Sequence, residues 1–160
     1  MTHLPSLWQE PIPPSGPAVT PQQRMAWIRE WIRPYTRDLA LEHLLTQPGD
    51  HRLQLESFEA AIAFGFKCKA SADEIIMAAN AEWDAAIANV TRCLEALRRR
   101  LWHMCRARMP EETIIKAADA VTQDFDVFVP DELLMPLLKR IWDAAQVRRG
   151  RGPPRYARAA

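Results

Sequence analysis

Glycine is scarce in this chain. Five occur in 160 residues, at positions 16, 49, 65, 150 and 152, and no phosphate-cradling loop can be assembled from that spacing. Neither His-Glu-x-x-His nor Glu-x-x-His occurs, which excludes the helical zinc-hydrolase signature and the ligand pairs of di-iron bundles. Serine is limited to positions 6, 15, 57 and 71. Ser71 reads as a helix cap and the first two lie in a proline-rich arm, so a serine triad would rest on Ser57 with no visible oxyanion hole. No run approaches the roughly 18 apolar residues of a membrane span. The N-terminus MTHLPSLWQEPIPPSGP lacks the basic start and apolar core of a secretory signal, so a cytoplasmic location is expected.

Cysteine is sparse too: Cys68, Cys93 and Cys105 are an odd set without framework spacing. Cys93 and Cys105 fall in one helical stretch about 18 Å apart, too far to bridge or to share a metal with His103. Reduced thiols, no metal site and no cofactor are expected. Cys68 differs from the other two because it lies between Lys67 and Lys69 just ahead of a helix N-terminus. Positive charge and the helix dipole favour a thiolate there, making Cys68 the one reactive-thiol candidate. Packing in a helix–helix loop is its simpler role, since no base is visible beside it. The acids of DFDVFVPDE lack the order of a calcium loop, and capping explains Asp131.

What the chain has in quantity is helix signal. The expected fold is all-α: one domain over 20–147, a bundle of about five to six helices around a long central helix at about 72–108. It is flanked by a proline-rich extended arm over 1–19 and a flexible, disordered arginine-rich tail over 148–160. Six of the thirteen prolines lie in residues 1–21, which forbids helix or central strand there. Leu7, Trp8 and Ile12 are too apolar for a bare spacer and are read as partner-docking anchors.

Thr20, Pro21 and Gln23 open a first helix with a capping box. Trp27, Ile28, Trp31 and Ile32 recur at helical spacing beside Arg24, Arg29 and Arg33. That composition permits a membrane-surface helix, but the core is the preferred destination of those side chains. Pro34 is expected to end or kink the helix, and a second helix to run from Arg37 to Thr46 capped by Thr36. A third is expected from about Arg52 to Phe64, stopped by Gly65. Its junction with the next helix fails the helix-turn-helix test, because Ser71 stands where that motif needs an apolar residue.

In the long helix, capped by Ser71 and Glu74, a heptad seam runs through Ile76, Asn80, Trp83, Ile87, Val90, Leu94, Leu97, Leu101 and Met104. Asn80 in that seam is a candidate for fixing the register of a helix pairing. Pro110, Glu111 and Glu112 then open a short helix, QDFDVFVP reads as extended, and a last helix covers roughly Asp131 to Val147.

Charge is distributed unevenly. The tail RRGRGPPRYARAA holds Arg148, Arg149, Arg151, Arg155 and Arg158 and no acid, leaving the remainder with 16 basic against 20 acidic side chains. A second cluster, Arg98, Arg99 and Arg100, sits with Arg92, His103, Arg106 and Arg108 near the end of the long helix. Cations there oppose the helix dipole, yet so many exceed what the dipole asks for. The leading functional expectation is a non-catalytic helical adaptor or assembly factor holding a protein partner through its extended ends. The alternative is a nucleic-acid-associated accessory protein using the tail and Arg98, Arg99 and Arg100. An enzyme built on Cys68 ranks last.

Overall fold

A computed structural model describes residues 19–46 and 55–147. All regular structure in them is helical, in five segments: α1 Pro21–Thr46, α2 Leu55–Lys67, α3 Ala72–Arg106, α4 Glu111–Asp124 and α5 Asp131–Val147. The all-α expectation is met, and the long central helix and α5 fall within two residues of where periodicity places them. The chain divides into two compact units, Met1–Ala40 with Asp50–Ile87, and Leu41–Gly49 with Ala88–Ala160. The arm residues Leu7, Trp8 and Ile12 and the tail arginines lie outside the described residues.

In the first unit, two capping boxes start the helices that matter. The Thr20 amide donates to Gln23 Oε1 at 2.9 Å, and the Gln23 amide to Thr20 Oγ1 at 3.2 Å. Ser71 and Glu74 repeat the exchange at 3.0 and 3.2 Å. Arg24 ties the two ends together. Its guanidinium grips both Glu74 oxygens, at 2.7 and 2.9 Å, and also donates to the Val19 carbonyl. That hydrogen bond holds the Glu74 carboxyl below its ordinary pKa. About two turns further along α3, Glu82 accepts from Arg29 Nε at 3.0 Å and Arg33 Nε at 2.8 Å. The pairing order, 24 with 74 and 29 and 33 with 82, makes α1 and α3 run parallel, with α2 returning between them.

The core of this unit gathers Trp27, Ile28, Ile32, Ala61, Cys68, Ile75, Ala78 and Ala79. Trp31 meets Phe64 edge-on with centroids 4.6 Å apart. Trp27 is therefore a core residue, Trp31 is half-buried against that core, and the arginines beside them are ion-pair partners, which favours the core over the membrane-surface alternative. No described helix is long and apolar enough to cross a membrane.

Three sequence expectations change. α1 continues through Pro34 to Thr46 instead of ending there, and Thr36 is fully buried within it, not a cap. Its hydroxyl donates to the Arg33 carbonyl at 2.8 Å, and burial of Ile28, Ile32, Ala40 and Leu41 on both sides of the proline carries the helix across. Gly65 does not stop α2. It lies inside the helix because a Cβ there would collide with the Ile75 side chain, so glycine serves close packing. The actual stop is Lys69 at φ 57°, with the Ala70 amide donating back to the Gly65 carbonyl at 3.0 Å. Finally, Ile76 is 41 % exposed and Asn80 exposed, while Ile75, Ala78, Ala79 and Glu82 are buried. The heptad seam holds only from Trp83 onward, and among the described residues Asn80 is exposed and is not buried between helices.

The second unit repeats the up-down-up order with α3 from Ala88, α4 and α5. Asn89 donates to the Phe125 carbonyl at 3.0 Å, beyond the end of α4, and Gln146 near the end of α5 donates to the Cys105 carbonyl at 2.9 Å. So α4 runs against α3, and α5 runs with it. Two residues beyond their ends, α3 and α4 are closed by Arg108 (φ 53°) and Asp126 (φ 52°), each with the paired return bonds of a Schellman turn. Val127 and Val129 are buried on either side of Phe128, which is 75 % exposed. Of the stretch QDFDVFVP, expected to be extended, Gln123 and Asp124 are helical and Phe125 and Asp126 form the turn that closes α4, so only 127–130 leave the helix, without a strand.

The buried Glu82 fixes the first stability expectation. Its side chain is 3 % exposed, whereas Arg29 and Arg33 are 38 % and 42 % exposed and can rehydrate if released. Glu82→Met should cost no more than about 1–2 kcal/mol. The double change Arg29→Ala with Arg33→Ala strands a buried carboxylate and should cost about 3–5 kcal/mol. Urea unfolding of the two variants measures the asymmetry; equal losses would refute it.

Candidate functional site

α5 is apolar over an arc of about 200°, from Leu133 through Leu134, Leu137, Leu138 and Ile141 to Met135 and Trp142, when its positions are placed at 100° per residue. A helix packed on one side needs roughly half of that. Leu134, Leu137, Ile141 and Ala145 are buried in the interior. The surplus, Met135, Leu138 and Trp142 at i, i+3 and i+7, lines an open groove with Cys105, Met109, Glu111, Ile114 and Lys139. Its cavity volume is about 310 Å³.

Each wall of the groove has a local cause. Met109 stands just beyond α3, where its amide is held by the Met104 carbonyl at 3.1 Å, so its position follows from the Schellman closure at Arg108. Glu111 and Ile114 come from the first turn of α4, where Glu111 and Glu112 oppose the positive end of the helix dipole. Ile114 and Leu138 are almost fully buried, while Met109 and Met135 are 38 % and 41 % exposed. Two flexible thioethers on an apolar floor make a surface that adapts to what it meets. Lys139 on α5 and Glu111 on α4 are both exposed. Among the described residues neither side chain has an ion-pair or hydrogen-bond partner.

None of the groove residues is a sequence-predicted site residue. The signal is present in α5, whose apolar arc exceeds a single packing face.

The predicted basic cluster is partly regrouped. Successive helical positions are about 100° apart, so Arg98, Arg99 and Arg100 fan around α3 and cannot face one ligand together. Arg98 is half-buried and already has an interaction partner within the chain. Arg99 instead shares an exposed face with Arg92, His103 and Arg106, all within about 40° of it. Arg100 is exposed at the edge of that face. Arg108 Nε donates to Gln146 Oε1 at 3.2 Å, so the end of α5 is fastened to the basic end of α3. Arg148 follows α5 by a single residue.

Cys68 is 6 % exposed, and its Sγ donates to the Gly65 carbonyl at 3.4 Å. Burial raises its pKa, the opposite of what Lys67, Lys69 and the α3 dipole favour. Burial likewise raises Cys105 and pushes Cys93 up to about 11. Among the described residues no three His, Cys, Asp or Glu side chains converge as a metal site would require.

No protein-family model, curated protein or solved structure matches the chain.

With all three thiols buried and protonated, an aromatic disulfide reagent at pH 7 should modify each at least about tenfold more slowly than a free cysteine. Full three-thiol stoichiometry should follow unfolding in urea. A single fast-reacting thiol in the folded protein, traced to Cys68, would restore the enzyme reading.

Proposed function

We propose that the chain is a non-catalytic helical adaptor that docks a protein partner. The observation that supports this most is the apolar groove of the second unit. At about 310 Å³ it lies at the lower end of ligand-pocket volumes, roughly 300–1,000 Å³, and it is open along one side. Exposed methionines flank a floor of Ile114 and Leu138. Exposed apolar surface of this kind is costly to leave in water and marks interaction surfaces. The groove also lacks a nucleophile–base pair or convergent carboxylates, the minimum for acyl-transfer or hydrolytic chemistry. The proline-rich arm with Leu7, Trp8 and Ile12 supplies a second, independent docking element on the sequence reading.

Met109→Lys with Met135→Lys places two charges on the groove at positions exposed enough to leave the fold intact. Cross-linked affinity purification from the cells that express the protein should recover a partner in stoichiometric amount with the wild type. The groove variant should lose it by at least about tenfold, or 1.4 kcal/mol. An unchanged partner profile would remove the groove from the adaptor reading.

One observation favours a second reading, a polyanion-binding accessory role. Gln146 fastens the end of α5 to the Cys105 carbonyl and to Arg108. The end of α5 therefore lies beside Arg108, at the end of the face that carries Arg92, Arg99 and His103, and Arg148 is the next residue in sequence after Val147. Five tail phosphate contacts would give a log–log salt slope near −4.5 on duplex DNA, or about −3.5 on single strands. Fluorescence anisotropy with labelled oligonucleotides between about 50 and 200 mM salt should show that slope for the full chain and its loss in a chain ending at Val147. No binding at the lowest salt would refute the reading.

A further inference from the structure

We infer that the groove of α3, α4 and α5 receives an amphipathic helix of a protein partner, one that brings an acidic side chain to Lys139. This rests on the adaptor reading and names its occupant. Three observations carry it.

The first is the polar inventory. The walls are helices, whose interior backbone groups are bonded within each helix. The groove adds to these only Glu111, Lys139, Cys105 and the Trp142 indole N–H. With so few partners, an extended peptide laid there would bury most of its own amides and carbonyls unpaired, losing the hydrogen bonds they make to water. A helix arrives with its backbone satisfied. The second is spacing. Met135, Leu138, Lys139 and Trp142 stand at i, i+3, i+4 and i+7, a ridge about 10 Å long. Such a ridge fits apolar anchors repeating at i, i+3 or i+4, and i+7 on a facing helix. Met109 and Met135 lie at the exposed margins, where long thioethers can adjust to anchors of different shape.

The third is charge. Lys139 and Glu111 project from different helices, and among the described residues neither has a partner to be displaced. A complementary helix gains by placing a carboxylate at the α5 wall and a cation at the α4 wall. Unpaired rim charges of opposite sign on opposite walls set the direction and register of what docks, more than its affinity. A purely apolar occupant would leave both without a partner.

The test is a display selection. A library of helix-forming peptides and a library of unstructured, proline-containing peptides are selected together against the full chain. Both are counter-selected against the Met109→Lys, Met135→Lys variant, whose far-UV circular dichroism confirms its fold. The expected winners are helical, carry apolar residues at i, i+3 or i+4, and i+7, and bind at least about tenfold more weakly to the variant. Lys139→Glu should reverse their preference from an acidic to a basic flanking residue. Winners that are extended yet still lost on the variant overturn the helix proposal while leaving protein docking in the groove intact. Winners that bind variant and wild type alike overturn both. Helical winners indifferent to Lys139→Glu overturn the acidic requirement. Failure of both libraries, with decanoate shifting the Met109 and Met135 methyl resonances saturably, assigns the groove to a small amphiphile and overturns the proposal.

Discussion

A carboxylate that is 3 % exposed must be paired, and Glu82 is paired twice, with Arg29 and Arg33. The arrangement of the first unit depends on that requirement. Both arginines come from α1, one turn apart, so satisfying Glu82 fixes the rotation of α1 about its axis as well as its height along α3. Arg24 and Glu74 repeat the constraint two turns earlier. There the same carboxylate also accepts from the Ser71 amide and so starts α3. Apolar side chains alone would let two helices slide by a turn at small cost. Ion pairs at two heights exclude every register but one, whatever their net contribution to stability. With α1 placed, Gly65 lets α2 come against Ile75, and the core around Ile28, Ile32, Ala78 and Ala79 closes.

What was legible in the sequence was local. Two capping boxes, the limits of α5, the acidic start of α4 and the alternation of Val127, Phe128 and Val129 each depend on a few neighbouring residues, and each is found as read. Helix ends were less legible because this chain closes α2, α3 and α4 with Lys69, Arg108 and Asp126 at positive φ, where glycine is the usual residue. A reader following glycine stops α2 at Gly65, four residues early. Pro34 misleads in the same way, since its local penalty is outweighed by the apolar face that continues to Leu41.

The seam of α3 failed at Ile76 and Asn80 for a tertiary reason. A heptad pattern assumes one partner face, but in the first unit the partners of α3 are set by Glu82 and by contact with Gly65. Those demands bury Ile75 and Ala78 in place of Ile76. Arg29 and Arg33, read as the polar side of a tryptophan-rich helix, become meaningful only when matched against an acid some fifty residues away. The groove escaped notice for a related reason. Met109 is unremarkable in a sequence and acquires a role only when α4 and α5 stand beside it.

The two surfaces of the second unit share one corner. Cys105 lines the groove, and its carbonyl accepts from Gln146, which in turn holds Arg108. Trp142 precedes Gln146 by one helical turn, so the stripe that forms the groove wall and the residue that anchors the end of α5 are on the same side of one helix. A partner that shifts Trp142 therefore strains the Gln146 contacts, and an anion that engages Arg108 pulls on the same residue. Sites coupled through a shared element influence each other reciprocally and by equal free energy. If a helix occupies the groove and a polyanion the basic end, the sign of their coupling depends on whether each tightens or loosens the bonds from Gln146. A chain of this size then has a physical route by which docking a protein partner changes its grip on an acidic one.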